Sequence, residues 1–279
     1  MSKVGIINPG AMGISIAASA RAAGNDVYWA SDGRSATTRQ RAEQHSLIAV
    51  GSLDELCAVC EVIICVCPPH AADSVAGAVS AAGFSGLYCD GNAIAPALSQ
   101  AIGARLEAAG VEYVDGSIIG PPAWKEGATR FYLSGPKAAR IANLFAGAVT
   151  EAIVIGDEAG KASALKMVFA AQTKGFTALL SAIQGAAQQL GVREDLDREW
   201  ARRDPEVAKQ RVNQVRNVTG KAWRFAGEMQ EIAAAFESAG MPPGFFEAAR
   251  EVYQRMARFK DADEPPGLDE VLAALTGGE

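Results

Sequence analysis

The stretch Val4-Gly5-Ile6-Ile7-Asn8-Pro9-Gly10-Ala11-Met12-Gly13, near the start of the chain, decides the fold. Val4–Ile7 is short, apolar and rich in β-branched residues, which predicts a buried strand. The following turn contains Gly10 and Gly13, and the Ala-rich segment Ala11–Ala23 then predicts a helix. A buried strand that passes through a glycine-containing turn into a helix is typical of the first unit of a parallel α/β sheet.

The same alternation continues through the first half of the chain. Further strands are predicted at Asp26–Ala30, Val62–Val66, Leu87–Cys89, Val111–Val114, Arg130–Leu133 and Ala152–Ile155. Helices are predicted between the earlier ones, at Ser35–Gln44, Ser52–Val59, Ala71–Ala82 and Ala95–Ala109. Right-handed strand–helix–strand units of this kind build a doubly wound, mostly parallel sheet of the Rossmann type.

After Gly156 the pattern changes from α/β to all-helical. A long helix is predicted from Ala159 to about Leu190, followed by helices around 205–219, 221–239, 243–258 and 268–275. We therefore predict two domains, residues 1–157 with the α/β fold and residues 158–279 with an all-α fold. Small residues form a stripe along the long helix, at Gly175, Ala178, Ser181, Ala182, Gly185 and Ala186. That stripe predicts close approach of another helix and favours a homodimer.

Composition narrows the class of protein. The apolar fraction of 49%, the charged fraction of 21% and the net charge of −6 are ordinary for a soluble protein and argue against nucleic-acid binding. We find no secretory leader before the first strand and no apolar run long enough to span a bilayer, and so expect a cytoplasmic protein without a membrane partner. The five cysteines fall within residues 57–89 and are interpreted as buried thiols; with only two histidines, no metal site is expected.

The turn after the first strand resembles the G-x-G-x-x-G fingerprint that binds a dinucleotide. Glycines in that fingerprint let backbone N–H groups approach a pyrophosphate at a helix N-terminus. Asn8 replaces the first glycine, and asparagine tolerates the left-handed backbone angles that this position often requires. We therefore expect Asn8, Gly10, Ala11, Met12 and Gly13 to bind a dinucleotide cofactor.

The end of the second predicted strand bears on the choice of cofactor. An acidic residue here binds the ribose hydroxyls of NAD, and Asp32 stands at a suitable distance for that role. Ser31, Arg34 and Ser35, however, place two hydroxyls and a guanidinium at the same point, and a guanidinium suits a 2′-phosphate. The sequence favours NADP over NAD.

Further landmarks link the chain to a known family. They are Cys65-Val66-Cys67-Pro68-Pro69, Asp90-Gly91-Asn92-Ala93-Ile94-Ala95-Pro96, Asp115-Gly116-Ser117 and Leu133-Ser134-Gly135. With the fingerprint they resemble the β-hydroxyacid dehydrogenase superfamily, which includes 3-hydroxyisobutyrate and 6-phosphogluconate dehydrogenases and imine reductases. The segment from Lys221 to Met229 resembles a branch with a C-terminal domain of unknown function. The resemblance implies that Cys67, Pro68 and Asn92 also lie at the cofactor, and that Asn92 and Ser117 position a substrate.

The family's catalytic lysine lies in a pattern G-x-G-x-x-x-K-x-x-x-N, which the chain matches at Gly160 and Lys166. Ala162 and Ala170 replace the second glycine and the asparagine, so Thr173, seven residues after Lys166, becomes the candidate for the missing contact. The pKa of a lysine falls in a desolvated cleft, which lets it accept a hydroxyl proton or polarise a carbonyl.

The sequence thus predicts an NADP-dependent oxidoreductase that transfers a hydride between the nicotinamide and the alcohol or carbonyl carbon of a small hydroxy acid. An imine reductase on the same scaffold is one alternative, although the resemblance places Asp or Tyr at the lysine position in such enzymes. A noncatalytic NADP-binding sensor is the other, because Asn is missing at position 170.

Overall fold

The structure, a computed structural model, describes residues 1–202, 204–260, 262 and 264–277. The chain divides into two compact units, Met1–Met167 and Val168–Glu279. The sequence-based domain boundary between residues 157 and 158 stays a prediction.

The first unit is built on one eight-stranded sheet. Its strands are β1 (Lys3–Ile7), β2 (Asp26–Ala30), β3 (Ile48–Val50), β4 (Val62–Cys65), β5 (Leu87–Asp90), β6 (Glu112–Ile119), β7 (Arg130–Ser134) and β8 (Glu151–Gly156). They lie in the order β3-β2-β1-β4-β5-β6-β7-β8, and only the β6–β7 pair is antiparallel. The predicted Rossmann-type sheet with a helical C-terminal region is confirmed.

Helices flank the sheet and make up the second unit. Those of the first unit are α1 (Ala11–Ala22), α2 (Ala36–Gln44), α3 (Leu53–Val59), α4 (Ala72–Ala81), α5 (Pro96–Ala108) and α6 (Ala138–Asn143). Helix α7 (Lys161–Gln189) begins in the first unit and continues into the second, which also contains α8 (Arg193–Ala201), α9 (Pro205–Ser238), α10 (Gly244–Met256) and α11 (Leu268–Thr276). Within the described ranges, no helix is long and apolar enough to cross a membrane.

Four elements differ from the sequence-based expectation. The edge strand β3 and the short helices α6 and α8 were not predicted, because none carries a long periodic apolar pattern. Helices expected at 205–219 and 221–239 are one continuous helix, α9. A glycine inside a helix costs about 1 kcal/mol, but the buried face of α9 runs through Val218, Thr219 and Ala222 on both sides of Gly220, and this packing outweighs the cost.

The small residues of α7 pack within the second unit. A Cβ added at Gly175 would lie 3.3 Å from the Phe246 ring, and one added at Gly185 would lie 3.6 Å from Leu275. Ala178 and Ser181 are also buried. Much of the stripe of small residues therefore lets α10 and α11 of the same chain pack closely against α7.

The sheet aligns a row of polar residues across its middle strands. Cys65 of β4 is in register with Asp90 of β5, Asp90 with Asp115 of β6, and Asp115 with Ser134 of β7. All four are buried, although apolar clusters cover both faces of the sheet. The row lies toward the carboxyl ends of the parallel strands, where ligands of such folds bind.

Candidate functional site

The turn between β1 and α1 has the conformation that the fingerprint requires. Asn8 has a φ of +63°, so it occupies the left-handed region that a glycine would usually fill. Its side-chain Nδ2 donates to the carbonyl of Val66 at 2.9 Å and thereby joins the turn to the end of β4. A Cβ at Gly13 would lie 2.3 Å from the carbonyl oxygen of Asn8. Only glycine at this position lets α1 pack so closely against the turn.

The outer side of this turn is open. A Cβ at Gly10 would meet nothing nearer than 3.8 Å, and Ala11 is exposed. Met12 differs, since its side chain packs against the apolar core and its carbonyl accepts a hydrogen bond from Ser15. A phosphate group can therefore approach the backbone at Gly10 and Ala11, in front of the N-terminus of α1.

At the end of β2, the two residues that could bind the cofactor ribose, Asp32 and Arg34, have different surroundings. Arg34 is exposed, and the Ser35 hydroxyl caps α2 by accepting from the N–H of Thr38 at 3.3 Å. The backbone N–H of Asp32 donates to the Gly51 carbonyl, and the Asp32 carboxylate lies beside Gly51. Glu55 accepts from the N–H of Gly51, so a second carboxylate occupies the same side.

Asn92 ties the ends of β4 and β5 together. It is only 2% exposed, and its Oδ1 accepts from the backbone N–H of Cys67 at 2.6 Å. Its own N–H donates to Asp90 Oδ1 at 2.9 Å, and its Nδ2 lies 3.6 Å from Cys65 Sγ. The side chain therefore holds the Cys67–Pro68 turn, a role that the sequence did not indicate.

The carboxyl group of Asp90 is buried, and its pKa lies well above the ordinary value of an aspartate. Burial raises its pKa to about 7; the hydrogen bond from the Asn92 N–H opposes the shift, and the neighbouring Asp115 adds to it. Among the described residues, no hydrogen-bond partner reaches its Oδ2. The group thus sits near its protonation midpoint at neutral pH.

Asp115 anchors the start of α7. It is fully buried and accepts five hydrogen bonds, two from the backbone N–H groups of Gly160 and Ser163 and three from the hydroxyls of Ser99, Ser134 and Ser163. These donors come from α5, from β7, from Gly160 directly before α7 and from the first turn of α7. The sequence treated Asp115 only as a family landmark, because nothing local to β6 shows that its partners lie 45 and 48 residues away.

Lys166 lies one turn beyond that anchor. Its side chain is half-buried, and its Nζ donates to the carbonyl of Ile118 at 2.7 Å. Ile118 follows Asp115 by three residues on β6, so the same strand fixes both the beginning of α7 and the lysine amine. Ala162 and Ala170, which depart from the family pattern, are both buried.

Ser117 and Thr173 are placed differently from Lys166. Ser117 lies inside β6; it is fully buried, and its Oγ has no hydrogen-bond partner among the described residues. By strand alternation it shares a sheet face with Asp115. Thr173 is exposed in the second unit, and its hydroxyl lies 3.4 Å from the carbonyl of Phe169 in its own helix. The adjacent Lys174 forms a largely buried ion pair with Glu228.

Fold and site together define a class, that of proteins with a dinucleotide-binding α/β domain followed by a helical region. Comparison with family models gives the particular family. Residues 3–156 match the NAD binding domain of 6-phosphogluconate dehydrogenase, and the chain belongs to that family. Residues 187–256 match a domain of unknown function, DUF1932, which confirms the resemblance seen at Lys221–Met229.

Solved structures share the fold over nearly the whole chain. The conserved protein MTH1747, whose structure is described as similar to 3-hydroxyacid dehydrogenases, is 26% identical with a TM-score of 0.66 over 92% of this chain and 97% of its own. The 3-hydroxyisobutyrate dehydrogenase of Mycobacterium tuberculosis is 18% identical, with a TM-score of 0.69 over 99% of both chains. The Bacillus cereus imine reductase BcSIRED is 17% identical, with a TM-score of 0.56 over 98% of both. No curated protein matched the sequence.

Proposed function

We propose that the protein is an NADP-dependent oxidoreductase that interconverts the alcohol and carbonyl forms of a small hydroxy acid, with Lys166 as its acid/base. The observation that carries the proposal is the position of the Lys166 amine. It is bound to the Ile118 carbonyl near the carboxyl end of β6, the edge of the sheet at which the Asn8–Gly13 turn and the Cys67–Pro68 turn also lie. Ligands of open parallel sheets bind at this edge.

The turn residues fit a dinucleotide. The open backbone at Gly10 and Ala11, with Asn8, Met12 and Gly13 shaping the turn, would hold the pyrophosphate at the N-terminus of α1. Cys67, Pro68 and Asn92 would line the nicotinamide end. When bound, NADP(H) accepts or supplies the hydride at the substrate carbon.

NADP is favoured over NAD by the surroundings of the second strand. Arg34 is exposed next to the N-terminus of α2, and Ser31 and Ser35 stand beside it. A 2′-phosphate would meet a guanidinium, hydroxyls and the positive end of a helix dipole. Asp32, the residue that would serve NAD, has its carboxylate beside Gly51 and next to Glu55.

The lysine would exchange a proton with the substrate oxygen. As an ammonium group it donates a hydrogen bond to a carbonyl oxygen, and as an amine it takes the proton of a hydroxyl group. The hydrogen bond to Ile118 restrains the long side chain, and the anchor at Asp115 restrains its helix. Substrate contacts from Asn92, Ser117 and Thr173 stay predictions. Cytoplasmic localisation is also proposed, since five thiol cysteines suit a reducing compartment.

A substrate panel tests this proposal against its two rivals. The protein is assayed with NADP⁺ and small 2- and 3-hydroxy acids, and with NADPH and cyclic imines, while cofactor binding is measured by thermal shift. We expect oxidation of at least one hydroxy acid. Reduction of imines alone would identify an imine reductase, and NADPH binding without turnover of any compound would identify a sensor; either result would overturn the proposal.

A further inference from the structure

Two cysteines lie in contact at the carboxyl end of β4. The Sγ atoms of Cys65 and Cys67 are 3.6 Å apart, because residues two apart on an extended chain point to the same side. Cys65 is fully buried, whereas Cys67 is partly exposed. The pair therefore combines one accessible thiol with one protected thiol beneath it.

The backbone permits a bond between the two sulfurs. At about 3.3 Å per residue, an extended chain separates the two Cα atoms by about 6.6 Å, inside the range of about 4.4–6.8 Å that disulfides span. The sulfur atoms must approach each other by about 1.5 Å to reach bonding distance. Rotation of the Cys67 side chain, with a small movement of its turn, supplies that approach.

The two thiols differ in reactivity. The contact with Cys67 and then burial raise the pKa of the Cys65 thiol well above its ordinary value. Cys65 is thus a poor first nucleophile, and an external oxidant meets Cys67 first. Cys57 and Cys60 are both buried, and burial raises the pKa of the Cys57 thiol to about 11 and that of Cys60 to about 12, so they do not compete for the oxidant.

We propose that Cys67 and Cys65 form a reversible oxidation site for a peroxide. The Cys67 thiolate attacks the peroxide O–O bond, forming an S–O bond while the other oxygen leaves as an alcohol or water after protonation; the sulfur is oxidised and the peroxide is reduced. The Cys65 sulfur then attacks the Cys67 sulfur, forms the disulfide and displaces hydroxide, which leaves as water with the Cys65 proton. A dithiol reductant restores both thiols by exchange.

The disulfide would act on the cofactor turn. Cys67 donates its N–H to Asn92 Oδ1 at 2.6 Å, and Pro68 follows directly. Drawing Cys67 toward Cys65 disturbs this hydrogen bond and the turn that would line the nicotinamide. If cofactor binding must restore this hydrogen bond, the cost corresponds to roughly three- to tenfold weaker binding of NADPH to the oxidised protein. This consequence rests on the proposed function, whereas the oxidation itself does not.

Mass spectrometry of the full chain tests the oxidation. The reduced protein is treated with hydrogen peroxide, and the intact mass and proteolytic peptides are compared before and after a dithiol reductant. We expect a reversible loss of two hydrogen atoms and a Cys65–Cys67 cross-link. Cys65→Ser should stop at a sulfenic acid on Cys67 that dimedone traps, Cys67→Ser should form no cross-link, and the control Cys57→Ser should oxidise as the parent does. A cross-link at Cys57–Cys60 instead, or irreversible oxidation of Cys67 without a cross-link, would overturn the proposal.

NADPH binding to the reduced and oxidised parent separates this proposal from the function. Weaker binding after oxidation, restored by the reductant, supports the coupling. A disulfide that leaves NADPH affinity unchanged refutes the coupling. If no disulfide forms while NADPH binds and a hydroxy acid is turned over, the oxidation site is wrong and the proposed function stands.

Discussion

At the scale of single residues, two kinds of residue shape the site. Some have a backbone conformation or a close contact that few side chains allow, and others are acidic residues buried in the sheet. Asn8 and Gly13 were predicted from the fingerprint, and the structure gives the physical reasons, a positive φ and a contact that excludes any Cβ. The sequence did not predict that Asp115 anchors the start of α7 or that the pKa of Asp90 is raised. A buried carboxylate looks like any other acidic residue until the strands beside it are known.

Arg34 provides a residue-scale test of cofactor choice. We expect the parent to bind NADPH more tightly than NADH, and Arg34→Ala to narrow the difference by roughly 1–3 kcal/mol, the scale of a hydrogen bond to a charged group. Fluorescence titrations with both cofactors measure this difference. Arg41→Ala, in the last turn of α2, which begins two residues after Arg34, is the matched control and should leave the preference unchanged. Equal affinity of the parent for the two cofactors would refute the NADP assignment.

Asp90 predicts a pH dependence of stability. Its pKa in the folded protein, about 7, lies above the ordinary value of 3.8, so the folded state binds more protons than the unfolded state between these values. The contribution of Asp90 to stability should therefore be fully present below about pH 4, fall by a few kcal/mol as the pH rises to about 7, and then level off.

Asp90→Asn removes this titration. Urea unfolding of parent and variant from pH 4 to pH 8 gives the difference in their free energies of unfolding. We expect this difference to shift in favour of the variant as the pH rises toward 7. A difference that stays constant across the range would show that Asp90 titrates normally.

At the scale of elements, the sequence predicts long periodic segments well and short or conflicting ones poorly. Strands β1, β4 and β5 were found because continuous apolar runs mark strands buried on both faces. Strand β2, in which buried and half-buried residues alternate, was found from its apolar and β-branched residues. Strand β3 was missed because its three residues are too few to show a period, and two of them are exposed in the structure. Helix α9 continues through Gly220 because of its tertiary packing, and the helix propensities of the local residues do not report that packing.

The anchor between β6 and α7 is the element-scale feature with the largest expected effect. Asp115→Ala leaves two backbone N–H groups and three hydroxyls without their acceptor, so we expect a loss of about 3 kcal/mol or more in the free energy of unfolding. Ser99→Ala removes one of the five donors and should cost about 1 kcal/mol. Denaturant titrations measure both. Equal, small losses would show that the cluster does not hold the start of α7.

At the scale of the whole molecule, the exposed surface of α7 supports the homodimer predicted from the sequence better than the small residues of α7 do. Phe169, Phe176 and Ile183 follow at intervals of seven residues, with Leu179 between them, and all four are exposed. A heptad of apolar residues is the pattern of a helix that packs against another helix. A second copy of the chain presents the same surface, as a two-fold dimer requires.

Light scattering after size-exclusion chromatography tests the dimer. The parent should have twice the chain mass of 29.0 kDa, and Phe176→Arg should shift it toward the monomer, because a charge in the middle of the seam is desolvated on association. Phe245→Arg replaces an equally aromatic, 78% exposed residue outside α7 and should leave the mass unchanged. A parent that stays at 29.0 kDa at all concentrations would exclude the dimer.

The most direct test of the account is the pH–rate profile of Lys166→Ala on the hydroxy acid that the panel identifies. Turnover should fall by about 10²–10⁴, and the limb of the parent profile that reports the acid/base should disappear. NADPH affinity and thermal stability should remain close to those of the parent. Lys161→Ala, an exposed lysine in the first turn of the same helix, is the control and should behave as the parent. If Lys166→Ala keeps most of the turnover and the same profile, Lys166 is not the acid/base and the central claim is wrong.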